Sequence, residues 1–250
     1  AGEDEREGGA LLYFGLKRPM EIKGASRDYP SPMKFLNEAR RHANVWVDIE
    51  KPFWWDVPIW LASGQVDSIG IANNHLCRSQ MYESEAWGKP RDTERLPAPL
   101  GNGFWTQEIY YHILNSGLRI PPSAGSASGV LPNPVGYNRV YVHDFVNIDG
   151  AELHYDRFWE ALRAGRSFVT NGPLIMAKAD GKYPGHVFRS VAGKEIELRI
   201  RVDDMLSLRD ETGRIEIIKN GQVERTVPFQ ESYFRGSLGN LTFQSSGWFL

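Results

Sequence analysis

The stretch that decides the fold is Val45-Trp46-Val47-Asp48-Ile49-Glu50-Lys51-Pro52. Residues 45–49 are apolar except for one aspartate and are stopped by a proline, which reads as a buried strand. The polar residues Glu50 and Lys51 come at its end. Upstream, residues 31–43 read as a helix: Ser31 is placed to cap it, Pro32 suits its first turn, and Met33, Leu36, Ala39 and Ala43 share a face. Residues 10–16 (ALLYFGL) read as another short buried strand. Downstream, residues 56–63 suit a short helix and residues 66–72 (VDSIGIA) a third strand. Strands alternating with helices over short connections are the mark of βα units around a parallel sheet.

Residues 78–103, rich in glycine, proline and scattered charge, break this rhythm and read as a long surface loop. Thr106 then suits the cap of a helix lined by Ile109, Ile113 and Leu114 and ended by Gly117. Residues 121–136 are small, kinked and polar. Residues 140–142 read as a strand, and Asp156 as the cap of a last helix through Leu162. Beyond residue 166 the period changes. Ile196, Leu198, Ile200 and Val202 alternate with charged residues, as in a strand with one wet face. Residues 214–219 and 222–229 flank Asn220-Gly221, a strong hairpin turn. The expected class is therefore α/β: a β/α domain over residues 1–166, then a small β-sandwich-like module over residues 167–250.

Composition narrows the function. Lys+Arg 29 against Asp+Glu 31 gives a net charge of -2, without the basic footprint of a nucleic-acid binder. No apolar run approaches the ~20 residues that span a bilayer. The single cysteine, Cys77, excludes a disulfide scaffold and has no histidine partner that would make it a nucleophile. The chain opens AGEDEREGG, with neither Met nor a signal-peptide pattern, and closes on the apolar Gly247-Trp248-Phe249-Leu250. Both ends predict a fragment of a longer protein, and a periplasmic or secreted location stays open.

In parallel β/α architectures functional groups collect at the carboxyl ends of strands. Those ends carry Asp48, Glu50 and Lys51, then Asn73, Asn74 and His75, then Ser126 and Ser128. Carboxylate, imidazole and amide oxygen in convergence suit a divalent cation such as zinc or manganese. Each group also has a plainer reading: loop charges paired with Lys51, an Asn-Asn turn, a packed histidine, a flexible Gly-Ser loop. Glu3 to Glu7 read as solvated charge. Phe53-Trp54-Trp55, Trp60, Trp87 and Trp105 are either core or rings for a sugar or an aromatic ester. Arg166 either anchors a domain junction or faces the site.

Four segments recur together in this order: Val47-Asp48-Ile49-Glu50-Lys51, Ala72-Asn73-Asn74-His75, Ala124-Gly125-Ser126-Ala127-Ser128-Gly129, and residues 162–173 (LRAGRSFVTNGP). On these the chain resembles the carbaryl-hydrolase-like (CehA/McbA) branch of the PHP-domain metal-dependent hydrolases, over most of residues 1–176. The resemblance implies a distorted, here partial, β/α barrel with divalent metals at strand ends, and a β module after it. The departures are specific. The paired histidines that open a PHP domain would lie before Ala1. Gly2-Glu3-Asp4 matches the glycine–glutamate ligand motif loosely, and the histidine expected next is replaced near Gly9-Ala10. Glu50 or Lys51 stands where the middle strand usually carries a histidine. Gly125-Ser126-Ala127-Ser128-Gly129 lacks the family's closing Asp and His.

Two readings follow. In the first, the site is rebuilt for metal-dependent hydrolysis of an ester, carbamate or phosphoester by a metal-activated water. His75, Asp48 and Glu50 would be the ligands, one carboxylate would be the general base, and Lys51 or Arg78 would face developing negative charge. Asn73, Asn74, Trp54, Trp55, Ser126, Ser128 and Arg166 would contact the substrate. In the second, a non-catalytic carbohydrate- or ligand-binding protein keeps the scaffold without the metal.

Overall fold

Gly2–Arg6 (β1) and Gly9–Phe14 (β2) form an antiparallel hairpin at one side of a five-stranded sheet. The acidic start is therefore a strand. Residues 3 to 6 are all charged, Glu3 and Glu5 taking one face while Asp4 and Arg6 take the other, and no apolar stripe announces it. Ser31 caps α1 (Pro32–Ala39) by accepting the Met33 N–H at 3.3 Å, and Phe35, Leu36 and Ala39 are buried. Trp46–Ile49 (β3) is buried throughout and pairs antiparallel with β2. After α2 (Val57–Ala62), Ser68–Ala72 (β4) runs parallel to β3. A helix, α3 (Gly101–Asn115), then leads to Pro122–Ala124 (β5), parallel to β4. The sheet order is β1-β2-β3-β4-β5. Among the described residues it is open, with β1 and β5 as edges, and no closed barrel forms.

The remaining elements are β6 (Arg139–Val142), α4 (Tyr155–Arg163), β7 (Ser167–Thr170), β8 (Leu174–Ala179), β9 (Glu195–Asp203), β10 (Gly213–Lys219), β11 (Gln222–Phe229) and β12 (Tyr233–Thr242). The computed structural model describes residues 2–78, 81–143, 154–203, 213–229 and 233–250. The chain divides into two compact units, Ala1–Tyr110 with Ile120–Arg139 and Tyr111–Arg119 with Val140–Leu250. In the second unit β12, β9 and β8 form an antiparallel sheet, while β10 and β11 form the hairpin read from Asn220-Gly221. Both turn residues have positive φ, 52° and 85°, as that turn requires. The alternation read in β9 buries Ile196, Leu198 and Val202, and the first two join Ile217, Leu238 and Leu241 in one core.

Two helix starts differ from the sequence reading. α3 begins at Gly101, inside the expected loop, so Thr106 is a fully buried helix residue and not a cap. The reason is close packing: a Cβ at Gly101 would lie 2.0 Å from the Leu96 carbonyl oxygen, and one at Gly103 2.7 Å from Met81 Cε. Glycine is selected there by space. The cap of α4 is His154, and Asp156 lies in its first turn.

Gly70 in β4 carries the tightest constraint in the sheet, since a Cβ there would lie 1.9 Å from the Glu50 carbonyl oxygen. Gly70→Ala must push β4 away from the end of β3. The expected loss is about 1–3 kcal/mol, as for overpacked cores, read as a lower urea midpoint with an unchanged slope.

Candidate functional site

The sheet register sorts the carboxylates. Glu3 pairs with Leu12, Leu12 with Asp48, and Asp48 with Ser68, while Glu5 pairs with Ala10. The Glu50 N–H donates to the Ala10 carbonyl at 3.2 Å, continuing that second rung. Cross-strand partners share a face and so do residues two apart, so Glu3, Glu5, Asp48 and Glu50 all stand on one face of the sheet. Leu11, Val47, Ile49 and Ile69 hold the opposite face and are fully buried.

Asp48 is 5% exposed. Trp46 Nε1 donates to Ser68 Oγ at 2.8 Å, which directs the Ser68 proton to Asp48 Oδ1 at 2.5 Å. Ser123 Oγ donates to the same oxygen at 2.5 Å. Burial pushes the Asp48 carboxyl from its ordinary 3.8 up to about 7, against the pull of these two hydroxyls. Asp48 thus ties β3 to β4 and β5.

One step along the strand, Glu50 Oε2 lies 2.6 Å from Lys51 Nζ, and Asn74 Nδ2 donates to Glu50 Oε1 at 2.9 Å. The tips of β3 and β4 therefore meet. Lys51 is buried, its ammonium 4.8 Å from the Trp54 ring centroid. Burial pulls the Lys51 pKa down, while Glu50 and then the charges of Glu5 and Glu3 pull it up. Burial raises Glu3 in turn, helped by Glu50 and Glu5.

His75 follows on the same turn, its backbone N–H received by Asn73 Oδ1 at 3.0 Å. Its ring packs 5.5 Å from Phe53 and 5.3 Å from Tyr82. Burial, and then the nearby Lys51 charge, lower His75 from 6.5 to about 4, while a hydrogen bond to the Ser84 backbone acts the other way. His75 Nδ1 and Asn74 Oδ1 are buried acceptors with no hydrogen-bond partner among the described residues. Asn73 is 1% exposed and spends its amide on Gly70 O and Thr106 Oγ1.

Other expected contacts fall elsewhere. Trp54 is 1% exposed and stacks on Trp87 at 5.3 Å, which makes it core and not a ligand platform. Trp55 is exposed and donates Nε1–H to the Trp87 carbonyl at 2.9 Å. Ser126 is buried, its Oγ accepting the Asn138 N–H at 2.8 Å, and Ser128 is exposed. The Arg78 side chain is exposed. Arg166 lies in the second unit, where its carbonyl accepts the His143 N–H. Cys77 is buried against the Asn74 carbonyl.

The sequence reading missed two organisers. Asn138 Nδ2 donates to the carbonyls of Asn73, Leu76 and Gly125, and Asn133 Nδ2 to those of Ser126 and Asn74. These amides clamp the turn after β4 to the loop after β5. The available signal was two asparagines among the prolines of residues 132–138, a place where side chains satisfy backbone groups. A groove of about 850 Å³ runs along the β1 edge, lined by Glu3, Glu5, Arg6, Phe35 and Trp87 among others.

The divalent ion implied by the resemblance is not matched by this donor set. Among the described residues no group of three His, Cys, Asp or Glu side chains is placed to hold a metal. Asp48 Oδ1 is spent on two serines, Glu50 on Lys51 and Asn74, and His75 is enclosed by aromatic rings. Among the described residues, no helix is long and apolar enough to cross a membrane. No protein-family model, curated protein or solved structure matches this chain.

The opposed shifts of Asp48 and His75 give a signed pH test. Between about pH 4 and 7 the folded chain holds an Asp48 proton that the unfolded chain has lost, so that contribution to stability falls as pH rises. Between about 4 and 6.5 the unfolded chain holds a His75 proton that the folded chain lacks, so that contribution rises. In wild type the two slopes offset each other. Relative to wild type, Asp48→Asn gains stability with rising pH over that interval and His75→Gln loses it. Each changes by a few kcal/mol at most, measured by urea unfolding at pH 4, 5, 6 and 7.

Proposed function

We propose that this chain carries the scaffold of the CehA/McbA branch of the PHP superfamily and binds a small oxygen-rich molecule in its first unit, a sugar or an ester. On this reading the five-stranded sheet is part of a distorted β/α barrel, and β8 to β12 form a sandwich-like module. The observation that carries the reading is the groove along β1. It is lined by Glu3, Glu5 and Trp87, whose ring is stacked on Trp54 and has the exposed Arg27 guanidinium 5.4 Å from its centroid. On this reading a sugar ring takes the place of Arg27 over the indole, with carboxylates nearby to accept its hydroxyl protons. The groove volume of about 850 Å³ falls within the ~300–1,000 Å³ usual for ligand pockets. Behind it, the Lys51 ammonium already pairs with Glu50 at 2.6 Å, the position a cation on that carboxylate would take.

Metal-dependent hydrolysis is the second reading. The observation that favours it is His75 Nδ1, a buried acceptor without a partner on the turn next to Glu50. Calorimetric titration of the purified protein with neutral and acidic oligosaccharides and aryl esters, with and without EDTA, separates the two. Binding unaffected by EDTA, sub-stoichiometric metal after chelator-free purification, and a loss of roughly tenfold or more in affinity for Trp87→Ala are expected. Stoichiometric zinc or manganese with binding lost in EDTA would favour the hydrolase.

A further inference from the structure

β1 is an edge of the five-stranded sheet, and the register says which groups that edge offers. The Ala10 carbonyl accepts the Glu50 N–H, so Ala10 and Leu12 turn their main-chain groups toward β3, while Gly9, Leu11 and Tyr13 turn theirs toward β1. Their partners on β1 are Arg6, Asp4 and Gly2. The N–H and C=O groups of Glu3 and Glu5 therefore point out of the sheet, and among the described residues nothing bonds to them. Glu7 is the next residue of that parity, and its N–H already donates to the Arg27 carbonyl at 3.4 Å. All five residues of β1 line the groove. The two faces of the edge differ. On one, Glu3 and Glu5 are exposed, and neither is in an ion pair among the described residues. On the other, Asp4 is taken by Arg6 through bonds of 2.6 and 2.8 Å, and the Arg6 guanidinium lies 4.9 Å from the Phe35 ring centroid.

We propose that the β1 edge takes up an extended segment of a partner protein, antiparallel to β1, with basic residues opposite Glu3 and Glu5 and an apolar residue between them. Directly opposed residues of paired strands share a face. The two residues opposite Glu3 and Glu5 thus meet unpaired carboxylates, which select lysine or arginine. The residue between them, opposite Asp4, meets an internally neutralised ion pair and the buried rings of Tyr13 and Phe35, which select an apolar side chain. Four main-chain hydrogen bonds supply the affinity and the alternation supplies the specificity. Antiparallel pairing is the stronger ladder per residue. A second copy of this edge does not serve, because Glu3, Glu5 and Glu7 are the outward residues and every antiparallel alignment of them opposes glutamate to glutamate. Lys17 and Arg18 come just past Leu16, the side chain nearest Gly2, so they disfavour a third basic residue at that end. The inference goes beyond the small-molecule reading, since a strand seated here competes with a sugar for the same groove.

The test is calorimetric titration of the protein with the end-capped heptapeptide Ser-Val-Lys-Val-Lys-Val-Ser. One control peptide carries glutamate in place of both lysines. A second carries a methyl group on both lysine main-chain nitrogens, which keeps the charge and removes the strand's donors. At low salt the parent peptide is expected to bind about tenfold more tightly than either control. Raising the salt narrows the margin over the glutamate peptide and leaves the margin over the methylated one. Glu3→Gln/Glu5→Gln, at exposed positions, is expected to lower affinity for the parent peptide about tenfold and to remove its advantage over the glutamate peptide. A parent peptide that does not bind, or that binds no better than either control, would overturn the proposal, as would a double variant that keeps the full preference. Each of these results leaves the small-molecule reading to its own titrations with oligosaccharides and esters.

Discussion

A single buried carboxylate oxygen sets the geometry of the first unit. Asp48 Oδ1 receives hydroxyl protons from Ser68 on β4 and Ser123 on β5, so one atom of β3 reaches the next two strands of the sheet. An acid so deeply buried is costly unless it is hydrogen-bonded or neutral. Asp48 approaches both conditions, with two short hydrogen bonds and a pKa near 7. The strand tips that follow are thereby held side by side, and Glu50 can meet Asn74.

The second constraint is the close approach of β3 and β4. Gly70 removes the side chain that would collide with the Glu50 carbonyl. With the backbones this near, the turn after β4 is brought over the end of β3. Asn133 and Asn138 then fasten it to the next loop through its carbonyl groups. The strand-end cluster is thus built from three chain segments, each fixed by hydrogen bonds that involve main-chain groups. Such a support holds its shape independently of which surface side chains surround it.

The alternating and apolar strands were legible because burial on one face, or on both, writes itself into hydrophobic order; β3, β4 and β9 fall where residues 45–49, 66–72 and the 195–202 alternation put them. The Asn220-Gly221 hairpin was legible because its turn demands positive φ twice. β1 was not, since an edge strand made almost wholly of charged residues has the composition of a solvated tail. The start of α3 was hidden because glycines chosen for close packing resemble glycines chosen for loop freedom. The meeting of Glu50 with Asn74 accords with the rule on strand ends, whereas the other partners of these residues were not legible. Nothing in the order of residues says that Asp48 would be taken by serines, or that Trp54 would face inward and Trp87 outward.

Glu3 and Glu5 belong to two neighbourhoods at once. They line the groove, their charges pull the Lys51 pKa up, and Glu5 together with Glu50 raises Glu3. Whatever covers Glu3 excludes water from a carboxyl whose pKa burial already raises, so occupancy and protonation share one free-energy cycle. Filling the groove therefore carries a proton exchange with the buffer, and its measured heat will depend on the ionisation enthalpy of that buffer.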